Sequence, residues 1–176
     1  MSRLKTEIAQ QKPFSSRTEE ALLNTLRTAD CLHRAGQLAL RSWNITSSQY
    51  NVLRILRGAH PEGLPCSAIG DRMITAEPDI TRLLSRLKAR QLIRQQRSRK
   101  DRRVLWTYIS DSGLALLEEM DETVARLPDR LLGHLSEHEL SEFIRLLELA
   151  RMKCGDGRQP PTCEGNDGAV TCPPSS

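Results

Sequence analysis

Seven cations surround one acid, Asp101, in the stretch RQLIRQQRSRKDRRVLWTY, residues 90–108. A guanidinium presents its N–H donors as a planar fork, which matches phosphate oxygens and the Hoogsteen edge of guanine. A solvated helix face mixes its signs, and a structureless basic tail does not close on a β-forming Val-Leu-Trp-Thr-Tyr run. The segment therefore reads as a positive loop held between ordered flanks. Just upstream, Pro78, Thr81, Arg82, Ser85 and Arg86 occupy the face of a helical pattern opposite its leucines. Hydroxyls there can meet phosphates or base edges, and arginine can bond guanine bidentately. An ordinary exposed helix face has the same composition, so the basic loop that follows is what distinguishes the two readings.

Other residues offer other chemistry. HLSEH, residues 134–138, matches the H-x-x-E-H pattern of some zinc peptidases. That reaction needs both histidines on one helical face. Ser136 reads as a helix N-cap, which leaves His134 outside the helix, so exposed histidines are the better explanation. A small zinc-dependent peptidase is kept only as an alternative. No Ser/His/Asp set, phosphate loop or credible metal cluster is visible elsewhere, and neither an enzyme nor a cofactor is expected. Of five cysteines, Cys154, Cys163 and Cys172 recur nine residues apart, one ligand short of a closed zinc site. Cys66 reads as packing. Cys31 reads as a small buried apolar residue.

Charge is segregated. Residues 82–103 hold ten Lys or Arg against one Asp, a local +9; the other 154 hold 16 cations and 21 anions, a net −5. An acidic body with one basic patch suits a partner that is a polyanion. No apolar run approaches the ~20 residues that cross a bilayer, so no membrane is expected. The start, MSRLKTEIAQQKPF, lacks a signal-peptide core, and a cytoplasmic protein with reduced thiols is the expectation.

These groups need elements to position them. From Arg17 to Trp43, Leu22, Ala29, Gly36 and Trp43 fall seven apart, with Leu26, His33 and Leu40 as a companion row. Such a seam exceeds what one small domain needs and predicts an interface with another subunit. Asn44–Ser47 interrupts it, and Gln49–Leu56 starts a helix with Tyr50, Leu53 and Leu56 inward. HPEGLP (60–65) is a turn. Ser67 is read as the cap of a short helix whose Ile69, Gly70 and Met73 face inward, Gly70 permitting a close crossing. After a tight turn, Thr75 is read as the cap of a second helix, with Glu77 and Asp79 in its first turn and Ile80, Leu83, Leu84 and Leu87 as its stripe. Leu92–Gln96 and Val104–Ile109 predict a hairpin around the basic loop. Ser110 caps a helix to about Leu127. Ser136 with Glu139 caps the last, whose stripe is Leu140, Phe143, Ile144 and Leu147. Helix pair plus charged hairpin is a winged helix-turn-helix.

The stretch PDITRLLSRLKARQLIRQQRSRKDRRVLWTYISDSGLALL (78–117) resembles the MarR family of bacterial transcription regulators. The likeness rests on a V-T-R-L-x-x-R-L-x-x-x-G-L-I-type recognition helix, an Asp-x-Arg wing (Asp101, Arg103) and a helix start at Ile109, Ser110 and Gly113. It extends from about Glu19 to Arg151, through Leu135, Ser136, Glu139 and Leu140. The resemblance implies a homodimer held by N- and C-terminal helices, with two winged helices on double-stranded, pseudo-palindromic operator DNA. It makes Arg103 the minor-groove arginine and Asp101 its orienting partner, with Arg97, Arg99, Lys100 and Arg102 completing the wing and Ser67 joining the DNA-facing set. It also implies a small aromatic or phenolic effector between the dimerisation helices and the DNA-binding lobe, where His33, Arg41 and Trp43 are candidates. A repressor released by that effector is the expected function, and a redox-sensing regulator working through Cys31 is the alternative. Gln91 stands where the family has Gly, which implies a positive-φ residue strained by ~1 kcal/mol or a different cap. The expected fold is mainly α. A flexible arm (1–16) precedes a domain (17–152) with its DNA-binding lobe at about 46–110 and dimerisation helices at about 17–43 and 111–152. A disordered tail (153–176) follows.

Overall fold

The structure is a computed structural model, and it describes residues 3–98 and 101–154. Within the stretch expected to be a flexible arm, a short helix α1 (Arg3–Glu7) buries Leu4 and pairs Glu7 with Arg27 at 3.7 Å. The long helix α2 (Arg17–Leu40) starts where Ser16 Oγ accepts the Glu19 N–H at 3.0 Å. It tightens into a 3-10 turn (Arg41–Trp43) and ends at Asn44, which is left-handed at φ 51°. Asn tolerates that conformation better than most residues. Thr46 and Gln49 then form a reciprocal capping box for α3 (Ser47–Gly58), which buries Val52, Leu53 and Leu56, while Tyr50 is half-buried.

The helix pair departs from its expected boundaries. Leu64–Pro65 forms a short strand, β1, inside the segment read as a turn, and α4 (Cys66–Arg72) follows it directly. Pro65 is the N-cap, so Ser67 lies in the first helical turn and caps nothing. The connection to α5 (Ile80–Ala89) spans residues 73–79 and is not a tight turn. Its cap is Asp79, whose Oδ1 accepts the Arg82 N–H at 2.8 Å, rather than Thr75. Pro78 supplies the reason: a proline drives the residue before it out of the α region, so no helix can run through Glu77. Gly70 also differs from expectation, since a Cβ there would meet nothing within 4 Å.

Ile69, Met73, Leu83, Leu84 and Leu87 join the α3 residues in one core, closed by Leu92, Ile93 and Ile109 from the hairpin and Leu117 and Met120 from α6 (Asp111–Ala125). Strands β2 (Ile93–Arg97) and β3 (Leu105–Ile109) pair antiparallel, Ile93 opposite Ile109, and the sheet order is β1-β3-β2. The helix expected to reach Leu127 stops at Ala125. Pro128 opens a separate α7 (Leu127–Leu132), and α8 (Glu137–Arg151) follows with the predicted Ser136–Glu139 capping box. Hydrogen bonds from the Ser136 N–H and hydroxyl hold the Glu139 carboxyl below the usual range. One guanidinium nitrogen of Arg57 on α3, Nη1, donates to both carboxylate oxygens of Asp121 on α6, at 2.9 and 2.8 Å. Among the described residues, no helix is long and apolar enough to cross a membrane.

At the end of α5, Leu92 N–H donates to Leu87 O at 3.1 Å and Gln91 N–H to Lys88 O at 2.9 Å. That is a Schellman cap, and Gln91 takes the positive φ, 58°, that the motif assigns to glycine. The left-handed cap, not a different one, is what the sequence uses. Gln91→Gly should relieve that strain, raising unfolding free energy by about 0.5–1 kcal/mol and the thermal midpoint by a few degrees. Thermal unfolding of the two proteins at matched concentration checks it.

Candidate nucleic-acid interface

The recognition-type helix α5 buries Leu83, Leu84 and Leu87 and exposes Thr81, Arg82, Ser85 and Arg86. This follows from the stripe, because core-facing positions at i, i+3, i+4 leave the polar ones on the outer face. Ser85 Oγ donates to Thr81 O at 2.9 Å, so its proton is committed and its oxygen remains an acceptor. Pro78 lies ahead of the Asp79 cap and is therefore beside the helix start, not on the helix face as expected. A cleft of about 220 Å³ is lined by Glu77, Pro78, Asp79, Arg82, Leu83 and Arg86. Among the described residues, neither Arg82 nor Arg86 is in an ion pair. Glu77 was not singled out from sequence as part of this face; its place two residues before the cap was the available signal. Ser67 is exposed on α4.

The hairpin loop uses several of its polar groups internally. Ser98 N–H donates to Val104 O at 2.9 Å, Val104 N–H to Asp101 O at 3.0 Å, and the Arg97 guanidinium to Arg102 O at 2.8 Å. Asp101 Oδ1 accepts the backbone N–H of Arg103 at 2.9 Å. No ion pair joins the Asp101 carboxylate to the Arg103 guanidinium, which corrects the expected contact: the acid shapes the turn that carries Arg103. Such side-chain-to-backbone closure two residues on is the habit of Asp in turns. Arg97 is likewise occupied within the hairpin, while Arg102 and Arg103 are exposed. Arg94 stacks over the Tyr108 ring, 4.3 Å from its centroid. Arg99 and Lys100 lie outside the described residues.

The remaining candidates are scattered. Arg41 lines a cleft of about 180 Å³ with Gln37, Asn44, Ile45 and Thr46. His33 is exposed on α2, more than two helical turns before Arg41, and Trp43 packs half-buried against the core; neither lines that cleft. The three are thus not brought together as one site. Cys31 is exposed, not buried, with an Arg34 nitrogen 3.8 Å from its sulfur. Burial pushes the Cys66 thiol up, consistent with inert packing. Cys154 donates to Ala150 O at 3.3 Å, and Cys163 and Cys172, with most of the expected tail, lie outside the described residues. In HLSEH, Ser136 is the N-cap, so His134 precedes the helix that contains His138. No group of three His, Cys, Asp or Glu able to hold a metal occurs among the described residues.

Comparison with known proteins turns on the same region. The MarR family's sequence profile matches residues 43–104, from Trp43 through the hairpin loop. A MarR transcription factor from Planctomyces limnophilus is 42% identical, with 78% of this chain and 99% of that one covered and a TM-score of 0.61. The chain belongs to the MarR family. The HTH-type transcriptional regulator MhqR of Bacillus subtilis (strain 168) is 28% identical over 104 residues, which is 59% of this chain and 70% of MhqR. The PcaV transcriptional regulator of Streptomyces coelicolor, solved in complex with its natural ligand, is 28% identical with a TM-score of 0.62, covering 72% and 90% of the two chains. This MarR-family chain thus has the mainly helical, winged helix-turn-helix fold of a transcription regulator.

For the MarR wing of this chain, the backbone contact of Asp101 separates shape from charge. Asp101→Ala removes the acceptor, and the Arg103 amide should exchange roughly fivefold faster, the equivalent of about 1 kcal/mol. Asp101→Asn retains an acceptor oxygen and should change that rate far less. Amide hydrogen exchange by NMR tells them apart; equal acceleration in both variants would assign the effect to the charge.

Proposed function

We propose that the chain is a homodimeric repressor that binds a pseudo-palindromic duplex operator in the cytoplasm and is released by a small aromatic or phenolic acid. The observation that carries DNA binding is the outer face of α5, where Arg82 and Arg86 have no ion pair among the described residues and stand beside a wing that exposes Arg102 and Arg103. In this reading Thr81, Arg82, Ser85 and Arg86 face the major groove, with Ser67 and Pro78 at its edge. Arg103 enters the minor groove, and Arg97, Arg99, Lys100, Asp101 and Arg102 shape or charge the wing. Residues 46–110 act as the DNA-binding lobe. The chain carries out no catalysis. Arg41 at its 180 Å³ cleft is the best-placed cation for an effector carboxylate, and the relative solved with its natural ligand supports an effector in this fold.

One titration separates base recognition from phosphate contact. Arg82→Ala and Arg86→Ala should each cost ~1–3 kcal/mol at particular base positions, whereas Arg102→Gln should weaken all duplexes alike and flatten the salt slope by about one per subunit. Titration against a duplex enriched by the protein and against a scrambled one reads both effects. Unchanged base preference in both arginine variants would remove α5 from the recognition role.

Dimerisation is supported by what α2 and α8 leave uncovered. Leu22, Leu26 and Leu38 on α2 are 59%, 58% and 64% exposed, and Ile144, Leu146 and Leu149 on α8 are 50–55% exposed. Leu22 and Leu26 lie one on each of the two heptad rows of α2, and in this reading α2 and α8 interlock with those of a second copy. Recognition helices about 34 Å apart then meet successive major grooves. Sedimentation at micromolar concentration should give one species of twice the chain mass, shifted toward monomer by Leu26→Glu. A folded monomer that binds duplex equally well would overturn this.

A further inference from the structure

Arg90 is the first cation of the basic stretch, and by charge alone it belongs with those facing nucleic acid. Its guanidinium is committed elsewhere. One nitrogen donates to Asn44 O at 2.6 Å and the other to Trp43 O at 3.2 Å, joining positions 46 and 47 residues apart in the chain. Both carbonyls lie at the end of the α2 helix and its 3-10 extension, where unsatisfied C=O groups and the helix dipole gather negative potential. Asn44 is itself fixed there, its N–H on Arg41 O at 3.0 Å. At the other end Arg90 is the C-cap of α5, its N–H on Arg86 O at 3.3 Å, and the Schellman cap follows at once. A fork reaching two successive carbonyls restrains angle as well as distance, which a single ammonium does not.

We propose that Arg90 is a positioning residue for DNA recognition, not a DNA contact. It ties the C-terminal end of α5 to the terminus of α2 and so sets the recognition helix's angle against the helix that runs to the dimer seam. This rests on the DNA-binding reading above and adds to it a distinction within the basic patch. A phosphate-binding arginine lends charge to every sequence equally. A positioning arginine matters only when the helix must meet particular bases in a fixed register.

The test uses the full-length protein, a duplex enriched by it from a random pool, and a scrambled duplex of the same composition. Arg90→Ala and Arg90→Lys should both lose roughly tenfold in affinity for the enriched duplex, because lysine keeps the charge but not the fork. Binding to the scrambled duplex and the dependence of log K on log salt should stay as in the wild type for both. A phosphate contact gives the opposite pattern: loss on both duplexes with alanine, a slope shallower by about one per subunit, and rescue by lysine. That pattern, or wild-type affinity in both variants, overturns the proposal. Should the wild type enrich no sequence, the DNA-binding reading fails by itself, and hydrogen exchange still decides the strap. The Asn44 and Leu92 amides should exchange faster in both variants while α3 and α6 stay protected, and unchanged exchange overturns it. The lysine variant, which conserves charge, answers for an alanine variant that does not fold.

Discussion

Leu92 O accepts the Ser110 N–H at 3.1 Å and stands where any side chain at Gly113 would project. Around that carbonyl three elements meet: the end of α5, the start of β2 and the first turn of α6. Ser110 Oγ donates to Gln91 O at 2.7 Å and accepts the Gly113 N–H at 3.1 Å, so one hydroxyl closes the α5 cap and opens α6. The direction in which the hairpin leaves the helix is set here, by main chain and a serine, before any wing residue is involved. Because β3 returns the chain to the same point, the wing's two strands are anchored together at their base. The Ser-x-x-Gly pattern thereby has a physical reason. Serine supplies the double hydrogen bond, and glycine leaves room for the Leu92 carbonyl.

What could be read from sequence was whatever depends on near neighbours. The Ile80, Leu83, Leu84, Leu87 stripe, the caps at Ser110 and Ser136, and the hairpin strands lie where periodicity and cap chemistry put them. The misplaced features depend on distant partners or on competition between two local signals. Leu64–Pro65 is a strand only because β3, some forty residues later, lies alongside it, and that pairing takes the N-cap position from Ser67. Thr75 was read as the cap with Asp79 in the first turn, and Pro78 moves the helix start on to Asp79. Gly70 was read as a crossing residue when the close approach is at Gly113, because helix-crossing distance is not written in one helix's sequence. The family likeness was legible at residue level around the recognition helix and wing. The proposed effector residues were not, since His33, Arg41 and Trp43 are separated by the turn of α2 and by the packing of Trp43.

Charge in this molecule is a poor guide to exposure of function. Of the cations in the basic stretch, Arg90 straps the α2 terminus, Arg97 closes the loop on Arg102 O, and Arg94 covers the Tyr108 ring. The patch was counted correctly as +9 and yet is internally divided, part of it holding the scaffold that presents the rest. Arginine suits both jobs. It stays ionised, its fork matches carbonyl pairs as well as phosphates, and its flat face lies on aromatic rings. An acid in the same stretch follows the same logic, since Asp101 is used by the backbone of Arg103 rather than by its charge.

The pairing of Ile93 with Ile109 and of Gln95 with Thr107 puts alternate residues of both strands toward the interior, Thr107 being fully buried. Arg94 and Tyr108 then lie together on the other surface. A slip of one residue would drive an arginine and a tyrosine into the core, so the frame of the hairpin is fixed at its base. Nothing in that constraint reaches residues 98–104. The loop has its own closure, the Arg103 N–H donating to Asp101 and the Arg97 guanidinium to Arg102 O. Register and loop shape are thus two separate specifications, the first written in Ile93, Thr107 and Ile109, the second in Arg97 and Asp101, so a change at the tip of the wing leaves the frame of its base intact.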